Sequence, residues 1–257
     1  MAVRGRKPPI GEPVLERAVR LLDAFDASGR GLQLAPLARR TNLAPSTALR
    51  LARQLTELGL LERSADGAFT IGLRMLELAS RAPRGHGVRS IALPYMEELH
   101  RAAGHHVLLG VRDGDEAVLI ERLSPAGDTD NGYPVGSRMP LAGTGVGLAL
   151  LAFAPDDFRA AYTATERKIE PEGTQIMPAV LRRQIARIRS ERVATIARPT
   201  GPAYASVAAP IFGTGQEPVA AIAVVAPPRV FAPANVRIAV VAIAGAISRQ
   251  LGGGRRG

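Results

Sequence analysis

Cysteine is absent from the 257 residues, which excludes disulfides and thiolate metal sites and leaves a reducing compartment open to the chain. Tryptophan is absent too, and aromatic residues make up only 4%. So few rings argue against the stacking platform on which single-stranded nucleic acids lie, and make duplex DNA the better polyanion. Uncharged apolar stretches such as IAVVAIAGAI fall well short of a membrane span. The opening MAVRGRKPPIGEP is basic but lacks the apolar centre of a secretory leader, so a soluble, cytoplasmic protein is expected, with no membrane partner. Neither GxSxG nor HExxH text occurs and the acids are scattered, so the expectation is no catalytic residue, no cofactor and no enzyme.

What is present is a length that suits two compact domains, 46% apolar content, which excludes a largely disordered chain, and a formal net charge of +10. The surplus points to a polyanionic partner, and its distribution says where. Residues 1–85 carry 14 basic and 8 acidic side chains, whereas the longer remainder carries 19 and 15. Between Asp26 and Glu57 there is no acid at all, yet Arg30, Arg39, Arg40, Arg50 and Arg53 all fall there.

The same segment has helical text. Val14, Leu15, Ala18, Leu21, Leu22 and Phe25 repeat at helical spacing before DASGRG stops them; Leu34, Leu37 and Ala38 begin a second short helix that ends at Thr41 and Asn42. Pro45 suits a first helical position, and Ala48, Leu51, Ala52, Leu55 and Leu58 then form one apolar stripe opposite Ser46, Arg50, Arg53, Gln54 and Glu57. LLERS and FTIG, joined by a turn with Asp66 and Gly67, predict a hairpin. Helix, turn, helix and hairpin in this order make a winged helix-turn-helix, which seats one helix in the major groove. Ser46, Thr47 and Arg50 then lie at the end that reads bases, while Arg39, Arg40, Arg53 and Arg63, the last on a basic wing, suit phosphates. An alternative use of the winged helix is protein contact beside a dimeric metabolite-binding module; that use would tolerate acids between Asp26 and Glu57.

Beyond the breaker cluster Ala82–Gly85 the pattern changes. A helix over 88–102, paired strands in HHVLLGVR and EAVLIERL, a glycine-rich turn before an apolar helix, helices around 155–163 and 177–191, strands YASVAAPIF and PVAAIAVVA, and a closing helix over 235–251 imply an antiparallel α+β domain. The expected division is a basic arm (1–13), the winged helix (14–72), a linker helix (73–85), an effector-binding and oligomerisation domain (86–251) and a tail (252–257). Gly143, Gly145 and Gly147 read equally as close packing of a turn on the sheet and as a helix start built to meet an anionic ligand. His105 and His106, being adjacent on a strand, face opposite ways, and neither they nor His86 and His100 predict a metal site.

LERAVRLLDAF and LAPLARRTNLAPSTALRLARQLTELGLLERSADGAFTIGLRMLELA resemble the IclR family of bacterial transcriptional regulators, with Asn42 at a turn where glycine is usual. The resemblance continues through VGSRMPL, GTGVGLALLA, IRSERVA, SVAAPIF and PVAAIAVV. It implies a GAF-like sensor domain, sequence-specific binding of double-stranded operator DNA under control of a small-molecule effector, and a homodimer or tetramer. It also places the effector pocket at Gly143, Thr144, Gly145, Val146, Ser206, Ala223 and Val225. Relatives that take small carboxylic acids carry serines where this chain has Ala223 and Val225, so an amphipathic or aromatic acid is expected here, its polar end at Thr144, Ser206 or the helix amides. Ordinary core packing accounts for the same alanines and valines. Ala142 stands where metal-binding relatives have histidine, so none is expected to bind.

Overall fold

The computed structural model describes residues 12–26, 29–82, 87–127, 133–169, 174–198 and 204–252. Most of the expected basic arm and tail, and His86, lie outside them. The chain divides into two compact units, Met1–Arg81 and Ala82–Gly257.

In the first unit, α1 (Val14–Leu22), α2 (Leu34–Thr41) and α3 (Pro45–Glu57) precede β1 (Leu61–Arg63), β2 (Phe69–Ile71) and α4 (Arg74–Ala79). The apolar stripe of α3, Leu51, Ala52 and Leu55, packs with Leu21, Leu37, Leu61 and Phe69 into one core. Asn42 takes the left-handed conformation (φ 51°), and Leu43 N–H donates to the Ala38 carbonyl at 3.1 Å, closing α2 so that α3 can start three residues later. A second left-handed residue, Gly59, ends α3; a Cβ on Gly72 would collide with its carbonyl, so the return of the hairpin needs glycine there. The β1–β2 pairing runs Leu61 opposite Ile71 to Arg63 opposite Phe69, and Leu32 adds reciprocal 2.8 Å hydrogen bonds to Phe69 on the other edge. Helix α1 stops three residues earlier than its apolar spacing predicts; Phe25 still packs on the core, from an irregular segment.

The second unit is built on six antiparallel strands in the order β5-β4-β3-β10-β9-β8: β3 (His106–Asp113), β4 (Glu116–Leu123), β5 (Arg138–Pro140), β8 (Ala194–Arg198), β9 (Tyr204–Phe212) and β10 (Pro218–Ala226). Helices α5 (Val88–Ala103) and α9 (Pro233–Gln250) cover one face over Val107, Leu109, Val207, Ile222 and Val224. Helix α6 (Gly145–Ala152) covers the other over Leu108, Leu119, Ala208, Ala221 and Ala223, backed by α8 (Pro178–Glu191). Both faces of β9 and β10 are therefore dry, which explains their nearly continuous apolar text. Between α6 and α8 run α7 (Asp156–Tyr162) and the ribbon of β6 (Arg167–Ile169) and β7 (Thr174–Ile176). The result is an α+β sensor fold of GAF-like kind, helices on both faces of an antiparallel sheet.

Candidate DNA interface and effector site

The start of α3 has no side-chain cap: Ala44 occupies the N-cap and Pro45 the first turn, leaving the Ser46 and Thr47 amides at the positive end of the helix. Ser46, Arg50 and Arg53 are exposed and Thr47 half-buried, so these side chains follow the solvent face opposite the stripe. Arg50 reaches along the helix to Gln54 Oε1 at 3.4 Å. Arg39 is exposed in the last turn of α2.

Arg40 is placed differently. Its Nη1 donates to the Ala24 carbonyl at 2.9 Å and lies 3.2 Å from Asp26, tying α2 to the segment after α1. The acid-free stretch thus begins at an aspartate that already faces one of its arginines. The wing needs a correction too, because it carries Glu62 and Asp66 against the single cation Arg63. Glu62 accepts from Leu73 N–H at 3.0 Å. Ser64 and the Ala68 amide hold the Asp66 carboxyl below the ordinary carboxylate range. Positive potential on the wing is confined to Arg63, whose guanidinium sits 5.4 Å from the Phe69 ring centroid and donates to the Gly67 carbonyl at 3.3 Å. Gln33, not singled out from the sequence, steadies the same turn by donating to the Asp66 carbonyl at 3.0 Å.

In the second unit the glycine run is explained mostly by packing. A Cβ on Gly147 would lie 2.6 Å from Leu141 Cα and from the Pro140 carbonyl, and one on Gly110 would lie 2.7 Å from Val146 Cγ1. The Thr144 hydroxyl accepts from Gly147 N–H at 3.0 Å and donates to the Pro140 carbonyl at 3.1 Å. Its donated hydrogen is therefore committed to the cap, and Thr144 is poorly placed to donate to a ligand. Gly143 offers its carbonyl to Tyr204 Oη at 2.9 Å. Gly145 differs from Gly147 because what it faces is polar: a Cβ there would stand 2.5 Å from Ser206 Oγ. That oxygen is buried and, among the described residues, has no hydrogen-bond partner. Ala223 is fully buried under α6, while Val225 is partly exposed on the same face.

The sequence suggested no ligand role for His106, which was weighed there only as a metal ligand. Its ring lies on the α6 face with Leu108 and Gly110, with Nδ1 3.0 Å from Ser124 Oγ, while His105 turns to Phe231 on the opposite face. The alternation in HHVLLGVR was the available signal. An open cleft of about 610 Å3, lined by Val88, Arg112, Glu217 and Leu251 among others, shares no residue with the expected effector set. Among the described residues, no helix is long and apolar enough to cross a membrane.

Comparison with known proteins agrees over nearly the whole chain. Residues 14–65 match the IclR helix-turn-helix domain and residues 81–251 the bacterial transcriptional regulator IclR C-terminal domain. The glycerol operon regulatory protein of Streptomyces coelicolor is 30% identical over 247 residues, covering 94% of this chain and 97% of that one. The HTH-type transcriptional regulator BhcR of Paracoccus denitrificans is 30% identical over 84% of this chain and 78% of its own. Among solved structures, an IclR homolog from Microbacterium hydrocarbonoxydans complexed with 4-hydroxybenzoate superposes with a TM-score of 0.82 at 28% identity, covering 93% of this chain and 99% of that one. The exposed recognition helix, the sensor fold of the second unit and these matches lead to one conclusion: the chain belongs to the IclR family, DNA-binding transcriptional regulators with a carboxy-terminal effector-binding domain.

Proposed function

We propose that this regulator reads a palindromic operator with the first two turns of α3, Ser46, Thr47 and Arg50 meeting base edges and Arg39, Arg53 and Arg63 meeting phosphates. The observation that carries this reading is the uncapped, solvent-facing start of α3, whose amides and arginine side chains present donors to one side while Leu51 and Leu55 fix the other. Arg40 serves the fold more than the phosphates. No catalytic role is assigned to any residue, and the cytoplasm is the compartment in which such a protein would meet DNA.

A homodimer is the reading unit, because one short helix contacts few base pairs and palindromes match two-fold proteins. Leu15 and Val19 on α1, Leu76 on α4 and the adjoining Leu73 are 56–75% exposed, and a second copy is the occupant that would cover them. Assembly beyond a dimer would use the second unit.

The effector site lies between the start of α6 and the strands carrying Ser206, Ala223 and Val225. Its support is Ser206 Oγ, a hydroxyl buried with no partner among the described residues beside the first turn of a helix, where amides favour an anionic or polar ligand group. With Ala223 and Val225 beneath, an amphipathic or aromatic acid fits, in keeping with the 4-hydroxybenzoate held by the Microbacterium hydrocarbonoxydans homolog. Electrophoretic binding to the DNA upstream of its own gene, repeated with a panel of aromatic and short aliphatic acids, tests both units. Binding that ignores DNA sequence would contradict the first assignment, and a response confined to two- and three-carbon acids would contradict the second.

A further inference from the structure

The strand register aligns a second polar centre with Ser206. His106 on β3 lies opposite Val225 on β10, Val225 opposite Ser206 on β9, and Ser206 opposite Ile196 on β8. Side chains directly opposite one another share a face, so these four form one row beneath α6. Arg122, Leu108, Ala223, Ala208 and Ala194 form the next row. Two strand spacings separate His106 from Ser206, about 10 Å between their backbones.

The two ends are polar and the middle is not. At one end Ser206 Oγ is buried against Gly145 with no hydrogen-bond partner among the described residues. At the other, His106 is buried, with Arg122 Nη2 3.4 Å from its Nδ1. Arg122 Nε donates to Ser124 Oγ at 2.9 Å and Nη1 to the Tyr133 carbonyl at 3.2 Å, so the guanidinium is held in place on this face. Val225, Ala223 and Leu108 lie between the two ends and offer only carbon.

We propose that His106 and Arg122 form the second pole of a two-ended effector site, which selects an organic acid bearing polar groups at both ends of a ring or short carbon body. The carboxylate meets the Arg122 guanidinium and the His106 imidazole, and the far polar group meets Ser206 Oγ. A planar guanidinium suits a carboxylate, and a ligand that lays only carbon against a half-buried cation strips its hydration without replacing it. The inference rests on the effector reading above and adds to it the identity of the end that ranks ligands.

Calorimetry of the full chain with 4-hydroxybenzoate, benzoate and phenol tests it. The first should bind about tenfold or more tightly than phenol, which lacks the bond to charged groups, and roughly two- to tenfold more tightly than benzoate, which lacks only the neutral bond to Ser206. His106→Leu should weaken 4-hydroxybenzoate toward the level of phenol, Arg122 retaining part of the carboxylate's hold, and leave phenol unchanged, and Ser206→Ala should bring it down to the level of benzoate. Thermal melting checks that both variants fold; should His106→Leu not fold, His106→Gln carries the test with the same expected direction. Equal binding of 4-hydroxybenzoate and phenol, or a preference untouched by His106 substitution while Ser206→Ala weakens binding, overturns the second pole and leaves the effector site standing. Absence of binding by all three probes, or indifference to both substitutions, overturns the effector site and this proposal together.

Discussion

The hydroxyl of Tyr204, at the start of β9, donates a 2.9 Å hydrogen bond to the carbonyl of Gly143, in the loop that launches α6. One contact thus holds the entrance of the proposed effector site to the sheet. Tyr204→Phe keeps the ring and removes the bond, so urea unfolding should show a loss of about 1 kcal/mol, the usual net worth of such a bond.

The glycines of this loop differ in what they tolerate. Gly147→Ala would push a methyl into backbone at 2.6 Å, whereas the space around Gly215 is open and its backbone ordinary. Overpacking against backbone costs about 1–3 kcal/mol or more, so Gly147→Ala should lower the melting temperature sharply and Gly215→Ala hardly at all. Equal effects would mean that α6 can move away from Leu141 at little cost.

Arg40 and Arg53 should separate by the kind of effect they have. Arg40→Ala removes an exposed ion pair and a bond to the Ala24 carbonyl, so a stability loss of about 1 kcal/mol or less is expected, with little change in how DNA binding depends on salt. Arg53→Ala should leave melting unchanged and reduce the slope of log affinity against log salt by about one unit. Salt titration of both variants, with melting curves, checks the pair.

These outcomes bear on how far the sequence could be read. Recognition helix, turn and hairpin were legible because Ala48, Leu51, Ala52 and Leu55 repeat at helical spacing and because Asn42 and Gly59 mark left-handed turns. The long strands β4, β9 and β10 were legible for a similar reason, as apolar runs between breakers. Short strands were not: β5 is three residues ending in proline, and β8 is five residues that begin three positions after α8 ends. Pairing across strands leaves no local trace, so nothing in HHVLLGVR says that His106 shares a row with Ser206. The charge of the wing was misjudged because Arg63 was read without Glu62 and Asp66 beside it.

Glu191 gives the second unit a dependence on pH. Its carboxyl accepts from Arg187 Nε and from Arg237 Nη1, each at 2.8 Å, which links the end of α8 to α9. The hydrogen bonds from Arg187 and then Arg237 hold its pKa below the usual value. A carboxylate with a depressed folded pKa contributes stability that is complete above its unfolded value, about 4.3, and lost as pH falls through the folded one. Glu191→Gln should therefore lower stability at neutral pH and flatten its decline in acid, a difference readable in melting curves from pH 7 down to the acid limb.

The most direct test of the account concerns Arg50. Fluorescence anisotropy of the full chain on DNA from upstream of its own gene, against scrambled duplex of the same length, should show a sequence preference in the wild type. Arg50→Ala, folded and equally stable, should lose about 1–3 kcal/mol on the specific duplex and very little on the scrambled one. A folded Arg50→Ala that keeps the wild-type preference would contradict the assignment of base reading to the start of α3.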